Sequence, residues 1–357
     1  MLAAQPHDGG VAHHLVTLVR ALPAERFAVD VACPRGSLAW NSLEGSGVAL
    51  HAIESHREVR PGDARSWATL LRLAGKADVI HVHSAKAGFL GRLAAATRGR
   101  RHACLFTPHG WSWWAADGAE ARVYLGLERL AAHWCRTIVA LSTDERDAGL
   151  DAAVGSPEQY RVIPNGVSLE RFALPRRPVR GRIVMVGRLA PPKRPDLAIR
   201  ALATVREHFP EAELHVVGDG PLREEAEALA AELGLAGPVR FLGTRGDVPE
   251  LLAEAECALL ASDYEGGPLA VVEAMAASVA VVATELGGIG ELVRPGLNGA
   301  VAPKGEPDAL GLALLDVLAS PERAAALGAE GRRFAQQELS LERMVGRLVG
   351  LYDELAA

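Results

Sequence analysis

Short runs of β-branched and aliphatic residues alternate along this chain with segments whose apolar positions recur every three to four residues. The runs predict strands at 28–33, 48–53, 78–84, 103–108, 137–142 and 161–164, with helices at 10–22, 67–76, 88–97 and 116–135 between them. The second half repeats the scheme, with strands at 182–186, 213–217, 239–242, 257–261 and 279–283 and helices at 195–208, 222–233, 248–255 and 269–277. Strands that are apolar on both faces belong in parallel sheets covered by helices on both sides. Two such series predict two doubly wound domains, at 1–165 and 182–339. Residues 174–181 are rich in Pro and Arg and lack any period, so 166–181 reads as a linker. Helix formers fill 321–357, and the last helix, 340–357, is expected to pack across the domain junction. Only residues 1–5 precede the first Gly-rich turn, so the first strand is expected to be short by several residues.

Length and composition narrow the class. A chain of 357 residues, 49% apolar and 23% charged, has material for two globular cores and is not disordered. No apolar run approaches the ~18–20 residues of a membrane span. The net charge of −6 speaks against a nucleic-acid partner held by bulk positive charge. Residues 1–165 carry 18 Lys/Arg against 16 Asp/Glu, and the remainder is strongly acidic, so the first half is the better candidate to face an anionic surface. Cys33, Cys104, Cys135 and Cys257 show no paired spacing, which argues against disulfides or a cysteine zinc site. The start has neither a basic nor an apolar leader pattern, so a cytoplasmic protein is expected.

Ligands of open α/β sheets sit at the carboxyl ends of strands, where loops enter helices. Three loops there are unusual. Gly9-Gly10 leads straight into a helix and leaves bare N–H groups for an anion, although such pairs are often plain turns. The loop 187–196, Gly-Arg-Leu-Ala-Pro-Pro-Lys-Arg-Pro-Asp, offers Arg188 and Lys193 to a diphosphate; a solvated basic loop is the alternative. In 265–273, Glu-Gly-Gly-Pro-Leu-Ala-Val-Val-Glu, two carboxylates flank a helix start. Gly266, Gly267, Pro268, Leu269 and Ala270 lie at its free N–H groups, and Glu265 and Glu273 suit sugar hydroxyls. The alternative makes Glu265 a loop residue and Glu273 a capping helper.

The histidines form a second group. His81 and His83 share one strand face, His109 ends a strand before Gly110, and His13 and His14 open the first helix. None has a recognised metal-ligand spacing, so no metal is expected, and His109 reads as a polar active-site group. Trp111, Trp113 and Trp114 could line an acceptor or lipid-facing surface or pack as core.

In this order the motifs resemble the retaining glycosyltransferases of family 4. They comprise Gly9-Gly10 to His14, 78–83, Thr107-Pro-His-Gly110, 162–167, 187–196, 217–221, 241–243, 265–273, 287–293 and Asn298-Gly299. The resemblance implies a GT-B fold: two Rossmann-like domains facing across a cleft, with C-terminal helices crossing the junction. It implies a UDP-, GDP- or ADP-linked sugar donor held by the second domain, and an acceptor held by the first. By position, Arg188 and Lys193 would bind the diphosphate, Glu265 the donor sugar, Glu273 the ribose, Gly9 and Gly10 the phosphates, and His109 the transferred sugar. Transfer with retention and without metal or other cofactor is implied. Gly267 stands where the family often has a bulky apolar residue, and Ser278 and Ala280 replace a common Gly and Pro. The expected acceptor is a cell-envelope glycan, lipid-linked saccharide or glycolipid. A basic edge formed by 85–92 with Arg98, Arg100 and Arg101 would give peripheral contact at the inner face of a membrane. The rival readings are a non-catalytic partner subunit of the same fold and a nucleotide-sugar epimerase or hydrolase.

Overall fold

The computed structural model describes residues 1–4, 9–54 and 61–357. The chain divides into two compact units, Met1–Asn165 with Glu342–Ala357, and Gly166–Leu341. Gln5 and the approach to Gly9 lie outside the described residues.

The first unit opens with β1 (Leu2–Ala3), α1 (Gly10–Ala21), β2 (Asp30–Cys33), α2 (Leu38–Leu43), β3 (Ala49–Ala52) and α3 (Gly62–Ala74). It continues with β4 (Ile80–His83), α4 (Ala85–Thr97), β5 (Cys104–Thr107), α5 (Gly118–Ala132), β6 (Thr137–Ala140), α6 (Thr143–Asp151) and β7 (Tyr160–Val162). Its seven strands are all parallel, in the order β3-β2-β1-β4-β5-β6-β7. The second unit runs β8 (Arg182–Val186), α7 (Pro195–His208), β9 (Glu213–Val217), α8 (Arg223–Glu232), β10 (Val239–Gly243), α9 (Val248–Glu254) and β11 (Cys257–Leu260). Then come α10 (Leu269–Ala276), β12 (Ala280–Thr284), α11 (Ile289–Leu292), β13 (Gly299–Ala302), α12 (Pro307–Leu318) and α13 (Pro321–Glu338). Its six parallel strands take the order β10-β9-β8-β11-β12-β13. Alternation along β8 shows why these strands read as continuous apolar runs: Ile183 and Met185 enter one core, while Val184 enters the core on the opposite face.

The last helix, α14 (Leu341–Ala356), packs on the first unit. Met344, Val345, Leu348, Leu351, Tyr352 and Leu355 form its buried stripe. The Tyr352 hydroxyl bonds His81 Nδ1 at 2.8 Å, and Arg26 pairs with Asp353 at 2.8 Å. β1 is only two residues long yet central, pairing with both β2 and β4.

Several expectations change. Residues 176–181 are not a free linker: Arg176 donates to the Leu252 and Ala255 carbonyls, and Arg180 to Glu256 and the Leu318 carbonyl. Backbone bonds from Arg177 and Val179 to Ala253 and Glu254 complete a strap along the second unit. The basic edge expected on α4 is reduced, because Lys86 and Arg92 turn inward while Arg98 and Arg101 stay exposed. Lys86 pairs with Asp63 at 2.6 Å, while Arg98 and Arg100 donate to the Leu71 and Ala77 carbonyls. Arg92 is fully buried, 2.6 Å from Glu128, with its guanidinium 3.7 Å over the Phe106 ring. Helix α6, with its acidic Thr-Asp-Glu-Arg-Asp start, and the four-residue edge strand β13 lack the periodic signal that marks the other elements. Ser278 adopts φ 57, a conformation glycine takes at less cost.

The Arg92–Glu128 pair yields a stability test. Glu128→Ala strands a buried guanidinium and is expected to cost about 3–5 kcal/mol in urea unfolding, whereas Arg92→Met with Glu128→Leu should recover most of that loss. Equal losses in the single and double variants would contradict this account.

Candidate active site

Each sheet reverses its strand order once, between β1 and β4 in the first unit and between β8 and β11 in the second. Helices leaving the two sides of a reversal cover opposite faces, which opens a crevice at the carboxyl strand ends. The sequence-predicted residues fall at these two places.

In the second unit, the loop after β8 is held by the turn after β9. Gly187 N–H bonds the Val217 carbonyl at 2.9 Å and Leu189 N–H bonds the Asp219 carbonyl at 3.0 Å. The fit is close: at Gly218, with φ 138, a Cβ would lie 2.0 Å from the Gly187 carbonyl oxygen, so only glycine is accommodated. Lys193 lies back over Gly187 and donates to Glu265 Oε1 at 2.5 Å. Ser262 Oγ donates to the same oxygen at 2.6 Å. Arg194, at φ 47, grips Asp196 through two bonds and reaches Asp263 at 3.2 Å. These contacts join the loops after β8 and β11. Arg188, on the same loop, is exposed, and its guanidinium has no hydrogen bond or ion pair among the described residues. The structure thus brings Lys193 to Glu265 and leaves Arg188 available.

Helix α10 starts at Leu269 with Pro268 as its N-cap and no side-chain cap, so the N–H groups of Leu269 and Ala270 face outward uncapped beside Gly266 and Gly267. Glu273, one turn on, is half-buried, and its carboxylate has no hydrogen-bond partner among the described residues. Burial pushes its carboxyl up to about 7, against a smaller opposing pull from Arg171.

In the first unit His14 on α1, His81 and His83 on β4, and His109 after β5 come together. His83 Nδ1 and His109 Nε2 are 2.9 Å apart, His14 Nδ1 bonds Asn165 Oδ1 at 2.9 Å, and His81 Nε2 bonds Thr107 Oγ1 at 2.8 Å. Burial lowers all four, His14 to about 4, so they are neutral imidazoles at pH 7. Gly9, at φ 96, precedes the first residue of α1, Gly10, with no side-chain cap. Trp111 is core, stacked 4.6 Å from Trp113, which settles that pair as packing.

One residue escaped the sequence reading. Glu145 is fully buried and accepts from Gly110 N–H at 2.5 Å and Leu141 N–H at 2.7 Å, fixing the turn that carries His109 at φ 59. Burial raises its carboxyl to about 7 despite those donors. Ser142-Thr-Asp-Glu145 is a capping-box pattern, which was the available signal. Ser142 Oγ does accept from Glu145 N–H, but the Glu145 carboxylate turns inward instead of closing the box.

Comparison with known proteins follows the same two halves. The profile described as Glycosyltransferase Family 4 matches residues 8–171, and that of Glycosyl transferases group 1 matches residues 168–334. D-inositol 3-phosphate glycosyltransferase of Salinispora tropica is 32% identical over 96% of this chain and 75% of its own length. The UDP-Gal:alpha-D-GlcNAc-diphosphoundecaprenol alpha-1,3-galactosyltransferase of Escherichia coli is 28% identical over 78% of this chain and 76% of its own. Among solved structures, Anabaena Alr3699/HepE in complex with UDP-glucose superposes with a TM-score of 0.86 at 22% identity, covering 99% of this chain and 98% of that one. At that identity the likeness shows the fold, GT-B.

The Glu273 carboxyl gives a signed prediction. Its folded value of about 7 lies above the unfolded ~4.3, so the native state holds the proton longer and stability falls as pH rises from about 4.3 to 7. Glu273→Gln is therefore expected to match wild type near pH 4 and to exceed it at pH 8 by on the order of 2 kcal/mol in chemical denaturation. A variant less stable at pH 8 would make Glu273 a structural group.

Proposed function

Since the chain belongs to the family 4 glycosyltransferases, we propose that it moves a sugar, with retention, from a nucleotide-sugar donor to a cell-envelope glycan, lipid-linked saccharide or glycolipid. The observation that supports this most is the second unit's cluster: Lys193 on Glu265, an exposed Arg188 on the same loop, and an α10 start without a side-chain cap, with Glu273, its carboxyl raised by burial, one turn on. Together they suit a sugar diphosphate. Arg188 and Lys193 bind the diphosphate, with Lys193 exchanging its carboxylate partner for phosphate oxygens. That exchange releases a Glu265 oxygen for the sugar hydroxyls. Glu273, ionising as ribose hydroxyls supply donors, takes the ribose. The N–H groups of Leu269 and Ala270, beside Gly266, Gly267 and Pro268, add positive potential. His109 meets the transferred sugar, and Gly9 and Gly10 meet the phosphates.

In the reaction the anomeric C–O bond to phosphate breaks while the acceptor oxygen bonds the anomeric carbon on the same face. The acceptor proton passes to the departing phosphate oxygen. No carboxylate nucleophile is assigned. Charge on the leaving diphosphate is stabilised by the two cations and helix dipole in place of a metal. Both cations and both carboxylates are present, which favours an enzyme over a non-catalytic partner subunit. Among the described residues no helix is long and apolar enough to cross a membrane. Peripheral contact at the inner face of a membrane is assigned to α5, where Val123, Leu127 and Leu130 are exposed beside Arg122 and Arg129.

Arg188→Ala and Lys193→Ala should each lose a charge-assisted contact of about 1.5–3 kcal/mol, on the order of 10–150-fold in donor binding or kcat/KM. Melting with UDP, GDP or ADP at about 100 times Kd should raise Tm by a few degrees with one base, and Arg188→Ala should abolish the rise. Glu273→Ala should weaken nucleotide binding, and Glu265→Ala should mainly lower kcat. Wild-type kinetics in both cation variants would overturn the diphosphate assignment.

A further inference from the structure

The first unit buries more imidazole nitrogen than its surroundings can bond. Ligand atoms of His14, His83 and His109 all lie within 4.8 Å of one another. His14 Nδ1 is occupied by Asn165 Oδ1 at 2.9 Å, which fixes the proton there and leaves the lone pair on Nε2. That Nε2 is buried, in a residue only 5% exposed, and has no hydrogen-bond partner among the described residues. His83 is 0% exposed; its Nδ1 meets His109 Nε2 at 2.9 Å, and its own Nε2 is likewise without a partner among the described residues. Orphaned buried nitrogens cost stability, and the two rings that carry these have centroids 5.5 Å apart. His81 is of a different kind. It packs on His83 with ring centroids 4.0 Å apart, but Tyr352 and Thr107 engage both of its nitrogens, so it is a wall of the cluster and not a ligand.

We propose that His14, His83 and His109 bind one late first-row divalent cation of the imidazole-preferring class, zinc being the best fit, with a fourth position left open. Zn–N bonds of 2.0–2.1 Å in a tetrahedron set ligand nitrogens about 3.3 Å apart. The His83–His109 contact is 2.9 Å and no pair of the three ligand atoms exceeds 4.8 Å, so small side-chain rotations bring three nitrogens onto one ion. Asn165 is the outer partner that orients His14, as metal-binding imidazoles characteristically have. An all-nitrogen set suits zinc and disfavours magnesium or calcium, which want oxygen ligands. The ion is thus no diphosphate metal, and the metal-independent reading of transfer stands beside it.

Cobalt(II) titrated into the full chain without nucleotide tests the site through its visible d–d absorption. One equivalent per chain should give the intense bands of a tetrahedral ion, and zinc should abolish them. His14→Gln and His83→Gln should each weaken binding at least tenfold, Asn165→Ala roughly 10–100-fold, and His133→Gln, at an exposed histidine, should leave it unchanged. Circular dichroism of the metal-free variants checks that they fold, and X-ray absorption of the wild-type zinc form, expected to show three imidazole nitrogens, needs no variant. Absence of tetrahedral bands, a zinc shell without imidazoles, or undiminished binding in folded His83→Gln would overturn the proposal. None of these readouts uses a donor or sugar transfer, so they separate failure here from failure of the donor assignment.

Discussion

A parallel sheet whose strand order reverses cannot close over the reversal, because the helices on its two sides leave by opposite faces. The polar residues marked as candidate site groups lie around that constraint. In the second unit β8 and β11 flank the reversal, and their loops are tied by Lys193 to Glu265, by Arg194 to Asp263, and by Asp263 N–H to the Pro192 carbonyl. In the first unit β1 and β4 flank it, and the histidines collect there. Dense aliphatic packing on both faces of each sheet makes this possible: loops at the strand ends carry strained backbone at His109 and Arg194 because the strands beneath them do not yield.

The two units handle burial of ionisable groups differently. In the second, Lys193 pairs with Glu265, and Arg194 with Asp196 and Asp263, at partly exposed positions. In the first, burial lowers the four imidazoles and raises the Glu145 carboxyl to about 7, while the buried Arg92–Glu128 pair lies elsewhere in the same unit. Glu273, in the second unit, is a carboxyl held back from ionising by burial and has no hydrogen-bond donor among the described residues. Such a group lowers stability at neutral pH, which is the expected signature of a site shaped for a ligand more than for the fold.

The basic run on α4 shows what composition alone leaves undecided. A run such as Ala85 to Arg92 followed by Arg98, Arg100 and Arg101 reads as a basic edge. Yet the helix turns Lys86 and Arg92 inward to Asp63 and Glu128, and Arg98 and Arg100 donate to carbonyls of α3 and of the turn before β4, which leaves Arg101 exposed with Arg98. The exposed apolar residues lie one helix later, on α5.

The sequence by itself determined the alternation of strands and helices, the two doubly wound domains and the order of the glycine-marked loops, and the resemblance of those motifs to family 4 implied GT-B. These follow from short-range periodicity, and from glycines such as Gly218 whose neighbours admit no side chain. It also marked Arg188, Lys193, Glu265, Glu273 and His109 by their positions at strand ends. Tertiary structure alone decided which of them meet. Lys193 and Glu265 are 72 residues apart, His14 and Asn165 151 apart, and His81 and Tyr352 271 apart, and no local pattern encodes contacts at such separations. It alone decided protonation as well, since a carboxyl such as Glu145 or Glu273 departs from its ordinary value only when strands distant in sequence close over it and remove water.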